Sequence, residues 1–446
     1  RAQLLLNGRP YPLVGALDQG YWPDGIYTAP TDEALRFDIE AAKQSGLNAV
    51  RKHVKVEPQR WYYWCDRLGL LVLQDFPSGE AGDPKTDRPR SPEAAAQWET
   101  EVRQILRQFG NHPSIIMWIV FNEGWGQFDT LRNAEWVKQA DPTRLVDEAS
   151  GFPWHGGGDV VDSHGGVPPS DPKRISITSE DGGWGACAIG HTWNEARAWA
   201  YRTYEPQTWC PVEGMQPPLP PLTEDARNWL TRWVGRMYQS FWRQRDNDGR
   251  SGYFYTQLVD VETECNGLLS YDRAVFKVKP EVLRPRVIGL WAPAGKEILP
   301  TARRGGVFWC FTTQKPPADW FKPEFDDTSW VKGISGFGRQ GTPGAIVNTE
   351  WATKQIWLRC EFDLPPELLA RREQLRLRIH HDEDVWVYLN GVEAFRESGF
   401  LTDYDDVEIA PQALAVLKPG RNVMAVTCQQ TQGGQYVDTG LILLDE

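Results

Sequence analysis

Arg107–Gly126 reads RQFGNHPSIIMWIVFNEGWG, and the rest of the chain is best approached from this stretch. Ile115–Phe121 is the longest purely apolar run in the protein, and it stops on Asn122–Glu123–Gly124. It is far shorter than the ~20 residues a membrane-spanning helix needs and has the length of a strand buried on both faces. The preceding segment has helical period. Ser91–Pro92 opens a helix whose apolar face is Trp98, Val102, Ile105, Leu106 and Phe109, with Gly110 at its end. A helix, a buried strand and a carboxylate at the strand's C-terminal end make one unit of a parallel α/β sheet.

The same unit recurs on both sides. Strands are expected at Leu13–Leu17, Leu47–Arg51, Leu70–Asp75, Ile115–Asn122, Leu145–Glu148, Val160–Ser163, Ile175–Ser179 and Tyr253–Val259. Thr31 can cap a helix that carries Leu35, Ile39 and Ala42 and stops at Gly46. Thr223 opens another, striped by Trp229, Leu230, Trp233, Met237, Tyr238 and Phe241. Eight strands with intervening helices fit a (β/α)8 TIM barrel over residues 1–280. The spacing is uneven: about a dozen residues between strands five and six are too few for a crossover helix. A long insertion, Asp181–Gly252, precedes strand eight and includes the proline-rich Pro217–Pro221.

From about Pro280 the texture changes. Residues 281–305 show no sustained period and read as a linker. Residues 306–446 are dominated by period-2 segments, IWLRCEFDL, LRLRIHH, VWVYLNG and NVMAVTC, between Gly, Pro, Asn and Asp turns. That pattern predicts an all-β jelly-roll or β-sandwich domain. Within it, His380–Asp384 (HHDED) reads as a solvated turn, and GFGRQG (Gly336–Gly341) lacks the following helix a nucleotide site requires. DNDG (Asp246–Gly249) lacks the later Glu of a calcium loop and reads as a turn.

Composition bounds the function. The net charge of −12 and the absence of a Lys/Arg run disfavour a nucleic-acid partner, because phosphate contacts rely on basic surface. The seven Cys form no CxxC pair and imply no disulfide framework. The 22 Trp leave two readings open, a large aromatic core or platforms for a ligand with C–H faces such as a sugar. The first residues, RAQLLLNGRPYPLVG, are not a signal peptide, and the chain reads as entered in the middle of something longer.

In a barrel, chemistry sits at the C-terminal strand ends. Polar residues expected there are Arg51, Lys52, His53, Asp75, Asn122, Glu123, Asp147, Glu148, Ser163, His164, Glu180 and Gln257. Glu123 and Glu180 follow strongly apolar strands and can face each other. A carboxylate pair about 5–5.5 Å apart is what a retaining glycosidase uses, one as acid/base and one as nucleophile.

RQFGNHPSIIMWIVFNEGWG resembles the strand-four signature of glycoside hydrolase family 2, the family of β-galactosidase, β-mannosidase and β-glucuronidase. The likeness extends through LNGRPYPLVGALDQGYWPDG, GLNAVRKHVKVEPQRWYYWCDRLGLLVLQDFP, DVVDSH, RISITSEDGGWG and YTQLVDVETECNGLLSYDR. It implies Glu123 as acid/base and Glu180 as nucleophile of a retaining, exo-acting β-glycosidase. The likeness carries Arg51, His53, Asn122 and His164 to the substrate-binding site, with Asp75 at a neighbouring strand end. Trp125 and Trp193 are candidate sugar platforms or core-packing residues, and His53, His164 and His191 are candidate hydroxyl ligands or structural hydrogen-bonding groups. Apolar surroundings at Glu123 are expected to raise its pKa, and Arg51 is expected to keep Glu180 ionised. No metal or organic cofactor is required by that chemistry. The implied partner is a carbohydrate, alongside further N-terminal domains or a second copy of the chain.

Two positions depart from the family pattern. Asp181 stands where an aromatic residue usually follows the nucleophile, and Gly165–Gly166 follow His164 where a Tyr is common. An acidic neighbour is expected to raise the Glu180 pKa. The alternative reading is therefore a non-catalytic carbohydrate-binding scaffold on a degenerate barrel. The C-terminal segment resembles the galactose-binding-like jelly roll that family members usually carry before the barrel.

Overall fold

The computed structural model describes residues 2–79, 86–166, 168–169, 171–203, 219–248, 250–291 and 296–443. The chain divides into two compact units, Arg1–Trp291 and Ala292–Glu446.

The first unit is built on eight parallel strands: β1 Leu13–Asp18, β2 Ala49–Lys52, β3 Leu71–Asp75, β4 Ile115–Ile119, β5 Leu145–Asp147, β6 Val160–His164, β7 Ile175–Gly182 and β8 Arg250–Thr256. Their order, β5-β4-β3-β2-β1-β8-β7-β6, is a barrel opened along one seam. At that seam β5 and β6 are joined where the Asp159 N–H donates to the Val146 carbonyl at 2.7 Å. Leu13, Ala49, Leu73, Met117, Ile119, Val160, Ile177 and Phe254 fill the interior with no exposed surface. Gly15 on β1 makes room for this packing, since a Cβ there would stand 2.4 Å from the Phe254 ring. Each large apolar side chain so buried contributes roughly 1.5–3 kcal/mol.

The expected helices form with their expected ends. In α1 (Asp32–Gln44) the Ala34 N–H donates to Thr31 Oγ1, and in α3 (Pro92–Phe109) the Ala94 N–H donates to Ser91 Oγ. Helices α2 (Gln59–Leu68) and α4 (Thr130–Ala140) follow β2 and β4, and α5 (Glu224–Asp248) precedes β8, with Thr223 capping it through the Ala226 N–H. The complement is short of eight. Among the described residues no helix joins β5 to β6 or β6 to β7, as the short spacing at the first of these requires. The side chains of Phe241 and Asp246–Asp248, with Gly249 and Pro217–Pro218, lie outside the described residues. The backbone of Asp246–Asp248 closes α5, so the turn expected at DNDG (Asp246–Gly249) is corrected to the last residues of a helix.

The linker expected at 281–305 is corrected. Helix α6 (Pro280–Trp291) packs onto the barrel, burying Leu283, Val287 and Leu290, and strand β9 (Lys296–Leu299) belongs to the second unit. Period alone missed α6 because it carries Pro285 and has apolar residues on several faces.

The second unit is a β-sandwich. One sheet contains β9, β13 (Leu375–Asp382), β16 (Asp405–Glu408) and β18 (Tyr436–Leu443). The other runs β11-β10-β12-β17-β14-β15, using Val331–Ile334, Phe308–Thr312, Gln355–Leu364, Gly420–Gln429, Asp384–Leu389 and Val392–Glu397. Leu375, Leu377 and Ile379 of the first sheet meet Ile356, Val385, Val387 and Val426 of the second in one core. HHDED is not a solvated turn: His380 and His381 lie fully buried in β13, and Asp384 begins β14. Most of the tryptophan is likewise structural, with Trp61, Trp118, Trp309 and Trp351 among the largest fully buried side chains.

Candidate active site

Arg51 organises the C-terminal end of the barrel. Its guanidinium leaves β2 fully buried and forks onto Asp75 at the end of β3, Nε to Oδ1 at 3.1 Å and Nη2 to Oδ2 at 2.8 Å. Nη2 also donates to Asn122 Oδ1 at 2.6 Å, and Nη1 to Glu180 Oε2 at 3.3 Å. A planar five-donor fork is the side chain that can hold three acceptors from three strands at once. Burial raises the Asp75 pKa against the pull of Arg51, and the Val54 N–H donates to the same carboxylate at 3.1 Å.

Glu123 sits just past β4 with φ +50°, the left-handed region that a side chain enters at a cost of about 1–2 kcal/mol. The turn is held from two sides, by the Glu123 N–H on the Ser150 carbonyl at 3.1 Å and the Trp125 N–H on the Asn122 carbonyl at 2.7 Å. The strain aims the carboxylate at His164, whose Nδ1 lies 2.8 Å from Glu123 Oε1. Nε2 of the same imidazole lies 2.8 Å from Ser150 Oγ and 3.7 Å from Glu180 Oε2.

Glu180 reaches the site through irregular register. The pairing of β7 slips between Ser163 and His164 on one side and between Tyr253 and Tyr255 on the other. A bulged strand can turn two successive side chains inward. Ser179 accordingly bonds Asp162 and Ser150 while its neighbour Glu180 meets Arg51.

The protonation pattern differs from the sequence expectation. Burial pushes Glu123 up, but the hydrogen bond and charge of His164, with Arg51 and Asn122, outweigh it and hold the carboxyl below its ordinary value. Glu180 goes the other way. Its burial outweighs His164 and Arg51, and Glu123 and Asp75 add to the rise. Burial opposes the charged His164, but Glu180 and Glu123 win and raise its pKa. The expectation failed because the apolar run beneath Glu123 matters less than the imidazole bonded to it. Asp181 is not the cause of the Glu180 shift: its carboxylate takes the Tyr253 hydroxyl at 3.2 Å and the Gly182 N–H at 2.8 Å.

The other expected residues divide. His53 adjoins the cluster, where burial and then the charges of Arg51 and His164 hold its pKa well below the ordinary value, leaving a neutral imidazole. Trp125 is half exposed beside Glu123, its carbonyl held by Ser78 Oγ at 2.7 Å. Trp193 is also half exposed but packs edge-on to Tyr271 at 5.5 Å, and the exposed His191 pairs with Asp272 at 2.8 Å. Lys52 is spent on Asp18 and Glu57, and Glu148 is fully buried under the backbone N–H groups of His155, Gly156 and Gly157. Both are structural.

Four residues at the mouth escaped the sequence reading. Ser150 orients His164, and Phe152 sets its ring 5.9 Å from the imidazole. Tyr201 rests against Gly183, where a Cβ would stand 2.7 Å from the ring, and its hydroxyl pKa is raised by burial and then by the charges of Glu264, Glu180 and Glu123. The fourth, Glu264, stands on the loop after β8 within reach of the charges of Glu180 and Glu123. None lies on a periodic element, so none carried a signal beyond its residue type. Glu123, His164 and Glu180 each bring one donor atom within 4.8 Å of the others. A cation could be held at that spacing, but the bonds already made within the cluster describe a set of groups sharing protons.

Residues 2–158 match the family model described as "Glycosyl hydrolases family 2, TIM barrel domain". Over those residues the chain is similar to the barrel domain of glycosyl hydrolase family 2. The match takes in Arg51, Asp75, Asn122 and Glu123 and ends before β6, short of His164 and Glu180. A β-galactosidase of Pectobacterium atrosepticum is 35% identical over 147 residues, 32% of this chain and 14% of that protein. A β-galactosidase of Photobacterium profundum is 34% identical over 181 residues, 40% of this chain and 17% of its own length. A putative β-glucuronidase of Formosa agariphila is 28% identical over 275 residues, covering 56% of this chain and 25% of that protein. The chain therefore spans no more than about a quarter of the length of these relatives.

Proposed function

We propose that the protein is a retaining, exo-acting β-glycosidase. The observation that carries this is the carboxylate separation, with an oxygen of Glu123 and an oxygen of Glu180 within 4.8 Å of each other. Retaining enzymes hold the pair about 5–5.5 Å apart, whereas inverting enzymes need roughly 6.5–9.5 Å to admit a water. Double displacement then runs as follows. Glu180, its carboxylate oxygen fixed by Arg51, attacks the anomeric carbon as the glycosidic oxygen takes a proton from Glu123. Water deprotonated by Glu123 then releases the sugar from Glu180. The Glu123 side chain is the more open, 33% exposed against 19% for Glu180, which suits the group that meets leaving group and water.

His164 links the two steps. The raised imidazole and lowered Glu123 place one proton along the Nδ1···Oε1 bond. This is the proton Glu123 delivers to the leaving oxygen in the first step, and the proton it takes from water in the second restores the bond to its starting state. Half-exposed Trp125 supplies a flat apolar face for the sugar. The relatives named as β-galactosidases and as a putative β-glucuronidase support a β-glycoside as substrate. The test is hydrolysis of aryl β-glycosides by the wild type and by Glu123→Ala and Glu180→Ala. Azide should rescue Glu180→Ala with an inverted glycosyl azide as product. Undiminished hydrolysis by Glu180→Ala would remove the nucleophile assignment.

A further inference from the structure

The loop after β8 carries a third carboxyl to the mouth. Glu264 closes a tight turn, in which its N–H donates to the Val261 carbonyl at 2.9 Å and its carbonyl accepts the Val261 N–H at 3.0 Å. The loop is fixed from below by fully buried Lys277, whose Nζ donates to Asp260 Oδ1 at 2.6 Å and to the Cys265 carbonyl at 2.8 Å. Glu264 Oε1 accepts Asn266 Nδ2 at 3.0 Å, Asn266 Oδ1 accepts Gln257 Nε2 at 3.0 Å, and Gln257 Oε1 accepts Gln19 Nε2 at 2.9 Å. A strip of three amides thus runs along the ends of β1 and β8 and finishes on a carboxyl. Amides and a carboxyl are groups that read neutral hydroxyls.

The charges acting on Glu264 are those of Glu180, Asp260 and Glu123, all negative, and the Tyr201 hydroxyl faces it as well. The cationic groups nearest the carboxylate pair are already engaged: His164 lies between Glu123 and Glu180, Arg51 is divided among Asp75, Asn122 and Glu180, and Lys277 is held by Asp260. A sugar bearing its own carboxylate would bring a further negative group to this corner, where the nearby cations among the described residues are already engaged. Like-charge juxtaposition in a partly dry site is costly.

We propose that Glu264 is a specificity-determining residue of the sugar site, which admits neutral β-glycosides through a hydroxyl hydrogen bond and turns away uronosides. The inference rests on the glycosidase reading above and adds its substrate class. Burial first, then Glu180, Asp260 and Glu123, push the Glu264 carboxyl up to about 7, against the Asn266 bond. Discrimination against a uronoside should therefore grow as pH rises through that value and Glu264 becomes charged.

The experiment compares kcat/KM for aryl β-galactoside, β-glucoside and β-mannoside with aryl β-glucuronide and β-galacturonide from pH 5.5 to 8.5. The wild type should favour its best neutral substrate by about a hundredfold or more. Glu264→Gln keeps the acceptor for Asn266 but loses the charge. It should narrow the ratio at least about tenfold and flatten its pH dependence, which a purely structural role would not do. A wild type that prefers a uronoside, or a ratio unchanged in Glu264→Gln, overturns the proposal. Should the wild type cleave no glycoside, the glycosidase reading falls, and calorimetric binding of galactose and galacturonate to wild type and Glu264→Gln decides Glu264 separately. Galactose binding with galacturonate gained only in the variant supports it. Preference for galacturonate in the wild type, or binding of neither sugar, overturns it.

Discussion

In the barrel His164 lies between Glu123 and Glu180, and in the sandwich His380 lies against Tyr404 and Tyr436, with ring centroids 5.4 and 4.6 Å away. Both clusters gather acid, imidazole and hydroxyl groups under cover, and both displace pKa values. In the sandwich, burial pushes Asp438 up to about 7 despite bonds from the Tyr404 hydroxyl and the Ala302 N–H. What separates them is access and geometry. Asp438 and His380 are sealed, and the cluster ends on the Ile346 carbonyl through Tyr436. The barrel cluster instead presents a third of the Glu123 side chain to solvent from a left-handed backbone position. A perturbed carboxyl alone does not mark a site. A perturbed carboxyl that is reachable, strained and paired at the separation a reaction needs is a far narrower description.

The largest effect should come from breaking the barrel pair while leaving the sandwich cluster alone. Glu180→Gln should lower kcat/KM on aryl glycosides by about a thousandfold or more, and Glu123→Gln by about a hundredfold or more. Asp438→Asn should leave kcat/KM within about twofold. Equal losses from Asp438→Asn and Glu180→Gln would break the contrast between a reacting cluster and a structural one.

Arg51→Lys probes how the reacting cluster is assembled. Lysine keeps the charge but cannot fork onto Asp75 while reaching Asn122 and Glu180. Leaving Asp75 and Glu180 partly unpaired should reduce kcat by about a hundredfold and stability by about 2–3 kcal/mol, read by steady-state kinetics and denaturant melts. A kinetic loss without a stability loss would show that the guanidinium positions Glu180 without supporting the barrel.

Much of this was legible in the sequence because barrel strands announce themselves. All eight expected strands overlap observed ones, since a strand buried on both faces is a short continuous apolar run. The residues at their ends, Arg51, Asp75, Asn122, Glu123, His164 and Glu180, come together as that frame requires. Illegible were the groups on irregular backbone and the balance of charges. Phe152, Tyr201 and Glu264 lie on loops whose course depends on contacts distant in sequence, such as Lys277 under the Glu264 loop. The direction of the Glu123 shift depends on which carboxylate His164 bonds, a matter of ångströms that the DVVDSH stretch cannot specify. Helix α6 was hidden by Pro285, and HHDED by charged neighbours that conceal two buried histidines.

The sandwich cluster makes its own prediction, in stability and not in rate. Asp438 is fully covered and its folded pKa, about 7, stands above the ordinary 3.8. The folded state therefore binds a proton that the unfolded state has released between those values, and the group's contribution falls as pH rises from about 4 to 7. Asp438→Asn should remove that slope, so that the difference in unfolding free energy between wild type and variant changes by on the order of 4 kcal/mol across the window. Parallel stability profiles for the two proteins would mean that the carboxylate stays ionised and bonded throughout.

The smallest expected effect concerns the rim. Trp125 and Trp193 are about equally exposed, 51% and 49%, and composition alone treats them alike. Their surroundings do not. Trp125 follows the strained Glu123 turn by two residues and is fixed through its own backbone, by the bond from Ser78 and the bond to Asn122. Its ring is thus presented beside Glu123 without being needed for packing. Trp193 spends one edge on Tyr271, whose hydroxyl holds the Trp22 carbonyl at 3.0 Å, and so belongs to the support of the loop after β8. An aromatic face against a sugar ring is worth about 0.5–1.5 kcal/mol, so Trp125→Ala should raise KM about three- to tenfold with kcat little changed and the melting temperature unmoved. Trp193→Ala should show the reverse ordering, a lower melting temperature with KM altered less than in Trp125→Ala. Were Trp193→Ala to carry the larger KM effect, the sugar would lie across the insertion and not against the Glu123 turn, and the mouth would have to be redrawn around β7 and β8.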